Sequence, residues 1–123
     1  MTDAGLSIAE AASRAKLSAH TLRYYERAGL IRDVPRDASG RRRYGEQDVA
    51  WVEFLRRLRA TGMPIREMRR YAELVWEGDA TYAERGALLV AHRERVRARL
   101  AELEDCLGVL DFKIDLYRKG SLK

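Results

Sequence analysis

Residues 20–31 read HTLRYYERAGLI. Two adjacent tyrosines stand between two arginines, and Gly29 closes the run four residues after Tyr25. Ser18 is placed to cap a helix that runs to about Ala28, and Gly29 suits the left-handed residue that ends one. At 100° per residue, Leu22, Tyr25 and Ala28 share one side, with Thr21 at its edge. Ala19, His20, Arg23, Tyr24 and Arg27 share the other. One face is apolar and packs. The other carries fixed cations, a histidine and a tyrosine, which suits an anionic partner. Tyr25 is expected to lean toward the core, and Tyr24 toward whatever the arginines face.

Upstream, Ser7-Ile8-Ala9-Glu10 reads as a capping box. Ile8, Ala11, Ala12 and Ala15 follow at helical spacing. A buried face made mostly of alanine lets a second helix come close. Lys16-Leu17 is a brief break, so the two helices have a helix-turn-helix outline. Downstream, Leu30 and Ile31 read as a short extended piece. Asp37-Ala38-Ser39-Gly40 is turn chemistry. It is flanked by Arg36, Arg41, Arg42 and Arg43, with Tyr44 next. That reads as a small β-hairpin with a cationic tip, a wing.

A third helix is expected from about Glu46 to Ala60. Val49, Val52, Leu55 and Leu58, joined by Trp51 and Phe54, supply more apolar surface than one stripe needs. Thr61-Gly62 ends it. Pro64 fits the first position of a fourth helix, carrying Ile65, Met68, Ala72 and Val75 to about Glu77, with Gly78 as its stop. Trp51, Phe54 and Trp76 are expected in the core. Thr81-Tyr82-Ala83-Glu84 reads as another capping box, opening a helix to about Lys119. At 1.5 Å per residue it is on the order of 55 Å long. Leu89, Val96, Leu100, Leu103, Leu107, Leu110, Ile114 and Tyr117 step along it as an a/d seam, which needs a partner helix, most simply from a second copy. His92 lies near the seam, in a packing or rim position.

The charge supports this division. The 123 residues carry a formal net charge of +5. Residues 1–70 hold 15 Lys+Arg against 9 Asp+Glu, whereas residues 71–123 hold 9 against 10. A basic front half on a near-neutral back half points to nucleic acid. An acidic membrane fits less well, because no large apolar face accompanies the cations. No signal peptide, membrane span or internal repeat is expected. One cysteine permits no internal disulfide, and a cytoplasmic setting fits. No nucleophile–base pair, phosphate loop or metal cluster stands out, so no enzyme, cofactor or metal is expected.

These residues resemble the MerR family of bacterial transcription regulators. The likeness covers nearly the whole chain. It is carried by TLRYYERAGLI (21–31), by Arg36 with Gly40-Arg41-Arg42-Arg43-Tyr44, by LRATGMPIREM (58–68), and by the long last helix. The resemblance implies a mainly α fold: a winged helix-turn-helix DNA-binding domain with two following helices (1–78), then a long dimerisation helix (79–123) in an antiparallel coiled coil. It implies a homodimer that binds a palindromic promoter site, distorts the spacer DNA and acts on RNA polymerase there. The recognition helix would be Ser18–Ala28, set in the major groove.

The same resemblance implies site residues. Arg23 and Tyr24 match the recognition-helix contacts, with Ser18 at the start of that helix also a DNA-binding candidate, His20 as a base-edge candidate and Tyr25 touching phosphate while packing below. Arg36, Arg42 and Tyr44 match wing contacts to phosphate, with Arg41 and Arg43 adding charge. Arg59 matches a contact at the end of the third helix. The last two helices (EGDATYAERGALLVAHRERV, 77–96, and LDFKIDLY, 110–117) are most similar to a short subgroup responding to aldehydes and other electrophiles. Members of that subgroup often carry a reactive cysteine in the third helix, where Arg57 stands here. Cys106 sits beside the seam, which favours a structural role over a sensor role. It has no cysteine or histidine beside it, as a thiolate metal site would need. No separate effector domain is expected, so an effector would bind within the dimer. The competing reading is a DNA-architectural or excisionase-like winged-helix protein that senses nothing. The long last helix argues against it.

Overall fold

The computed structural model describes residues 5–32 and 34–120. Five α-helices run in order: α1 (Ile8–Arg14), α2 (Ala19–Arg27), α3 (Glu46–Ala60), α4 (Ile65–Glu77) and α5 (Tyr82–Arg118), with a single 3₁₀ turn at Asp79–Thr81. The mainly helical fold expected from the sequence is the one found. The chain divides into two compact units, Met1–Arg85 and Gly86–Lys123.

The first helices start and stop for legible reasons. The Ser7 hydroxyl accepts from the Glu10 amide at 3.2 Å, and Glu10 Oε1 accepts from the Ser7 amide at 2.8 Å. These bonds hold the Glu10 carboxyl below its ordinary pKa, the Ser7 backbone amide first among the causes. Ser18 caps α2 by accepting from the Thr21 amide at 3.0 Å. Helices α1, α2 and α3 all end in the same left-handed motif. The amides of Leu17, Leu30 and Met63 reach back to the carbonyls of Ala12, Tyr25 and Leu58, at 2.8, 3.0 and 3.0 Å. At α2 and α3 the left-handed residue is a glycine, Gly29 or Gly62. At α1 it is Lys16, with φ 63°. The residues that close the second and third motifs reach inward, Leu30 and Met63 being fully buried, whereas Leu17 is half-buried.

The core of the first unit is built from Ala11, Ala12 and Ala15 of α1 and from Leu22 and Tyr25 of α2. Leu30, Ile31 and Tyr44 join it from the connecting segments. Val49, Val52, Leu55 and Leu58 of α3 and Met68, Ala72 and Leu74 of α4 complete it. On α4, Leu74 is buried where Val75 was expected, and Ile65 and Val75 are only half-buried. Three polar ties lock the helices together. Arg14 pairs with Glu46 at 2.7 Å, joining α1 to α3. The Arg69 guanidinium donates to the Ala28 carbonyl at 2.9 Å, and the Trp51 indole to the Leu30 carbonyl at 2.8 Å.

Several expectations are corrected. Leu30-Ile31 forms no strand, and both side chains go into the core. The wing is less regular than a hairpin: among the described residues it has one bridge between Arg36 and Arg42, and a second joins Leu6 to Tyr44. Pro35 has no N–H to extend the ladder, and α3 begins at Glu46, two residues after Tyr44. Pro64 precedes the first turn of α4 as its cap residue, in extended conformation with ψ 149°, instead of opening it. Thr81 does not cap α5. Its buried hydroxyl lies 2.6 Å from the Leu74 carbonyl and 2.8 Å from that of Gly78, and it accepts from Arg85 Nε at 2.9 Å, so the oxygen is already engaged. Trp51, Phe54 and Trp76 are half-buried, not core. They form an aromatic ladder with Tyr71, in which Trp51 stacks on Tyr71 with centroids 5.9 Å apart.

Candidate nucleic-acid interface

The outer face of α2 is as the wheel placed it. Tyr25 is buried, and burial raises its hydroxyl pKa. Tyr24 is 41% exposed, and His20, Arg23 and Arg27 face solvent around it.

The wing turn is held by Asp37. Its Oδ1 accepts the amides of Ser39 at 2.9 Å and Arg41 at 3.0 Å. These bonds, the Arg41 amide first, keep the carboxyl below its ordinary pKa. Arg36 Nη1 donates to the Gly40 carbonyl at 2.6 Å, and Arg43 Nε lies 3.4 Å from Asp37 Oδ2. Fixing four residues this way keeps the turn's cations close together without a sheet behind them.

Wing and helices enclose an open cleft of about 520 Å³. Five arginines line it: Arg23 from α2, and Arg36, Arg41, Arg42 and Arg43 from the wing. Ser7, Ile8 and Glu10, at the start of α1, line it as well. Planar guanidinium forks clustered in an open, concave site suit phosphate oxygens.

Two of the expected contacts are otherwise engaged. Tyr44 is fully buried, and its hydroxyl donates to Glu26. Burial, and then the Glu26 carboxylate, push its pKa well above the ordinary tyrosine value. It supports the wing from below and does not present a hydroxyl to phosphate. The Ser18 hydroxyl is taken up by Thr21, accepting from its amide and donating to its Oγ1 at 2.9 Å. Both bonds belong to the cap of α2. Arg59 is exposed and gives one N–H to the Met63 carbonyl at 3.1 Å.

Glu26 was not among the candidates. It belongs to α2, yet it meets the wing through Arg42 and Tyr44. The available signal was a lone acid on a helix of cations, one turn after the buried Leu22.

On α5, Leu89 and Val96 are half-buried, and Leu100, Leu103, Leu107, Leu110, Ile114 and Tyr117 are 46–58% exposed. Cys106 is also exposed, and His92 is buried. Among the described residues no cluster of three or more His, Cys, Asp or Glu could hold a metal, and no helix is long and apolar enough to cross a membrane.

A helix-turn-helix, a wing rich in arginine and a long helix with an exposed apolar seam define a DNA-binding transcriptional regulator. Comparison with known proteins agrees. Residues 6–74 match the model of the MerR HTH family regulatory protein, and residues 49–111 match that of the MerR DNA-binding region. The chain belongs to the MerR family. It is 38% identical to an uncharacterized HTH-type transcriptional regulator of Haemophilus influenzae, over 94% of this chain and 88% of that one. It is 43% identical to the HTH-type transcriptional regulator AdhR of Bacillus subtilis, over 74% of this chain and 65% of AdhR. Among solved structures it is similar to HiNmlR, a MerR family regulator lacking the sensor domain and bound to promoter DNA. The TM-score is 0.86 at 36% identity, covering 94% of this chain and 92% of the other.

Proposed function

We propose that two copies of this chain join through an antiparallel coiled coil of α5 and bind a two-fold symmetric promoter site. DNA recognition is assigned to residues 1–78 and dimerisation to residues 79–123. Each α2 enters a major groove, where His20, Arg23 and Tyr24 meet base edges and backbone. Arg36, Arg41, Arg42 and Arg43 hold the neighbouring phosphates, with Arg59 at the end of α3 and Tyr25 reaching the backbone from the core. Phosphate contacts fix the register, and the few side chains in the groove read sequence. The spacer DNA is distorted, so RNA polymerase meets promoter elements whose relation the regulator controls. The effector is placed within the dimer, and the likeness of the last two helices to the electrophile-responsive subgroup suggests its chemistry. Arg57 occupies the third-helix cysteine position of that subgroup, so a thiol sensor there lacks its nucleophile.

The observation that carries this reading is the five-arginine cleft beside the exposed face of α2. Its curvature and charge fit a phosphate backbone, and the helix beside it is the right element for a groove. The exposed seam of α5 supports the dimer, because leucines at a/d spacing left in water lose the burial that favours them.

The test is to capture genomic DNA fragments on the purified protein, sequence them and footprint the strongest. A two-fold symmetric site between promoter elements with an overlong spacer supports the proposal. Binding spread over bent or A/T-rich DNA, with no symmetric site, supports the architectural alternative.

A further inference from the structure

Arg42 borders the large cleft and two smaller ones, of about 240 and 350 Å³. Glu26 lines both smaller clefts. A carboxylate beside phosphate-seeking arginines opposes DNA binding by charge alone. What it touches gives it another role. One oxygen, Oε2, accepts the Tyr44 hydroxyl and lies 2.8 Å from Arg42 Nε. The Glu26 side chain is 12% exposed against 38% for Arg42, so the anchor is shielded and the cation it holds is not. The contact uses Nε, the inner nitrogen of the guanidinium, which leaves the two terminal nitrogens for a phosphate fork. The wing has no sheet to fix it: one bridge closes it, and the Leu6–Tyr44 bridge joins it to the start of α1. Glu26 supplies the polar tie from the recognition helix itself.

We infer that Glu26 is a positioning residue for DNA recognition, setting the wing against α2 and aiming Arg42 at a backbone phosphate. The inference rests on the wing–phosphate reading above. It makes DNA specificity depend on a negative charge that Coulomb's law alone would have hindering the complex.

The test compares wild type and Glu26→Gln on two labelled duplexes of equal length, by anisotropy over a range of salt. One is a fragment selected from the genome by the protein itself, and the other is of random sequence. Glutamine keeps an acceptor for Tyr44 and removes the charge from Arg42. The expected result is a loss of about tenfold on the selected duplex, the scale of one aligned charge-assisted contact. Random duplex should bind as well as before or more tightly, with wild-type circular dichroism. Equal or tighter binding of the selected duplex overturns the inference. So does weakening of both duplexes by one factor with wild-type circular dichroism, which would make Glu26 the support of a sequence-independent phosphate contact and not of recognition. If Glu26→Gln does not fold, Arg42→Lys tests the pair from the wing side, since lysine keeps the charge and lacks the planar fork. It should lower the selected-to-random ratio by a similar factor, and an unchanged ratio overturns the inference. Arg42→Ala separates the two levels. If it leaves the salt slope unaltered, the wing–phosphate reading fails and the inference with it. A slope reduced by roughly one unit, with the Glu26→Gln ratio unchanged, overturns the Glu26 inference alone.

Discussion

The indole N–H of Trp51 donates to the carbonyl of Leu30 at 2.8 Å, tying the middle of α3 to the residue that closes α2. Leu30 is fully buried, and its amide already serves the end of α2. Trp51→Phe keeps an aromatic ring in the ladder and leaves that carbonyl without its indole donor. The expected cost is about 1–2 kcal/mol, a missing partner for a part-buried acceptor. Urea denaturation monitored by circular dichroism measures it, and a midpoint equal to wild type would show that water replaces the indole without penalty.

Lys16 holds a left-handed backbone at the end of α1, in the position that Gly29 and Gly62 take after α2 and α3. The Cβ of an L-residue is strained there, so Lys16→Gly should stabilise the chain by about 0.5–1 kcal/mol after the entropy of the added glycine is counted. The expected readout is a higher denaturation midpoint. A lower one would mean that the lysine side chain contributes more than its backbone costs.

The wing turn should loosen in acid. Asp37 is held below its ordinary value of 3.8 in the folded chain, chiefly by the Arg41 amide. A depressed carboxyl contributes order that is fully present above its unfolded value and is lost as pH falls through its folded value. The amide resonances of Ser39 and Arg41 should therefore stay constant down to about pH 4, near the unperturbed aspartate value, and shift together below it. Asp37→Asn should remove that step. Persistence of the step in the variant would assign it to another carboxyl.

Leu103 lies mid-seam on α5 and is 51% exposed in the single chain. Leu103→Asp would bury an unpaired charge in a coiled coil, which costs several kcal/mol, roughly 3–5 by comparison with broken buried pairs. Light scattering should show a monomer where the wild type is a dimer. A variant that remains dimeric would place the interface elsewhere.

Local chemistry made most of this protein readable from its letters. The capping box at Ser7–Glu10, the cap at Ser18, the glycine stops at Gly29, Gly62 and Gly78, and the apolar spacing along each helix all act over a few residues, so composition and period reveal them. The two faces of α2 follow from the same geometry, which is why Tyr24 and Tyr25 could be told apart while adjacent. Tertiary structure decided what depends on residues far apart in the chain. Tyr44 looks like a wing contact in sequence; Glu26, 18 positions earlier, takes its hydroxyl and the core takes its ring. Thr81 resembles a cap until the Leu74 and Gly78 carbonyls and Arg85 engage its oxygen. Trp51, Phe54 and Trp76 carry enough apolar surface for a core, yet a helix has only so much circumference: Val49, Val52, Leu55 and Leu58 fill the inner face of α3, and Met68, Ala72 and Leu74 that of α4. A hydrogen bond goes to the partner that folding brings within reach, and sequence spacing states that partner only when it lies within a turn or two.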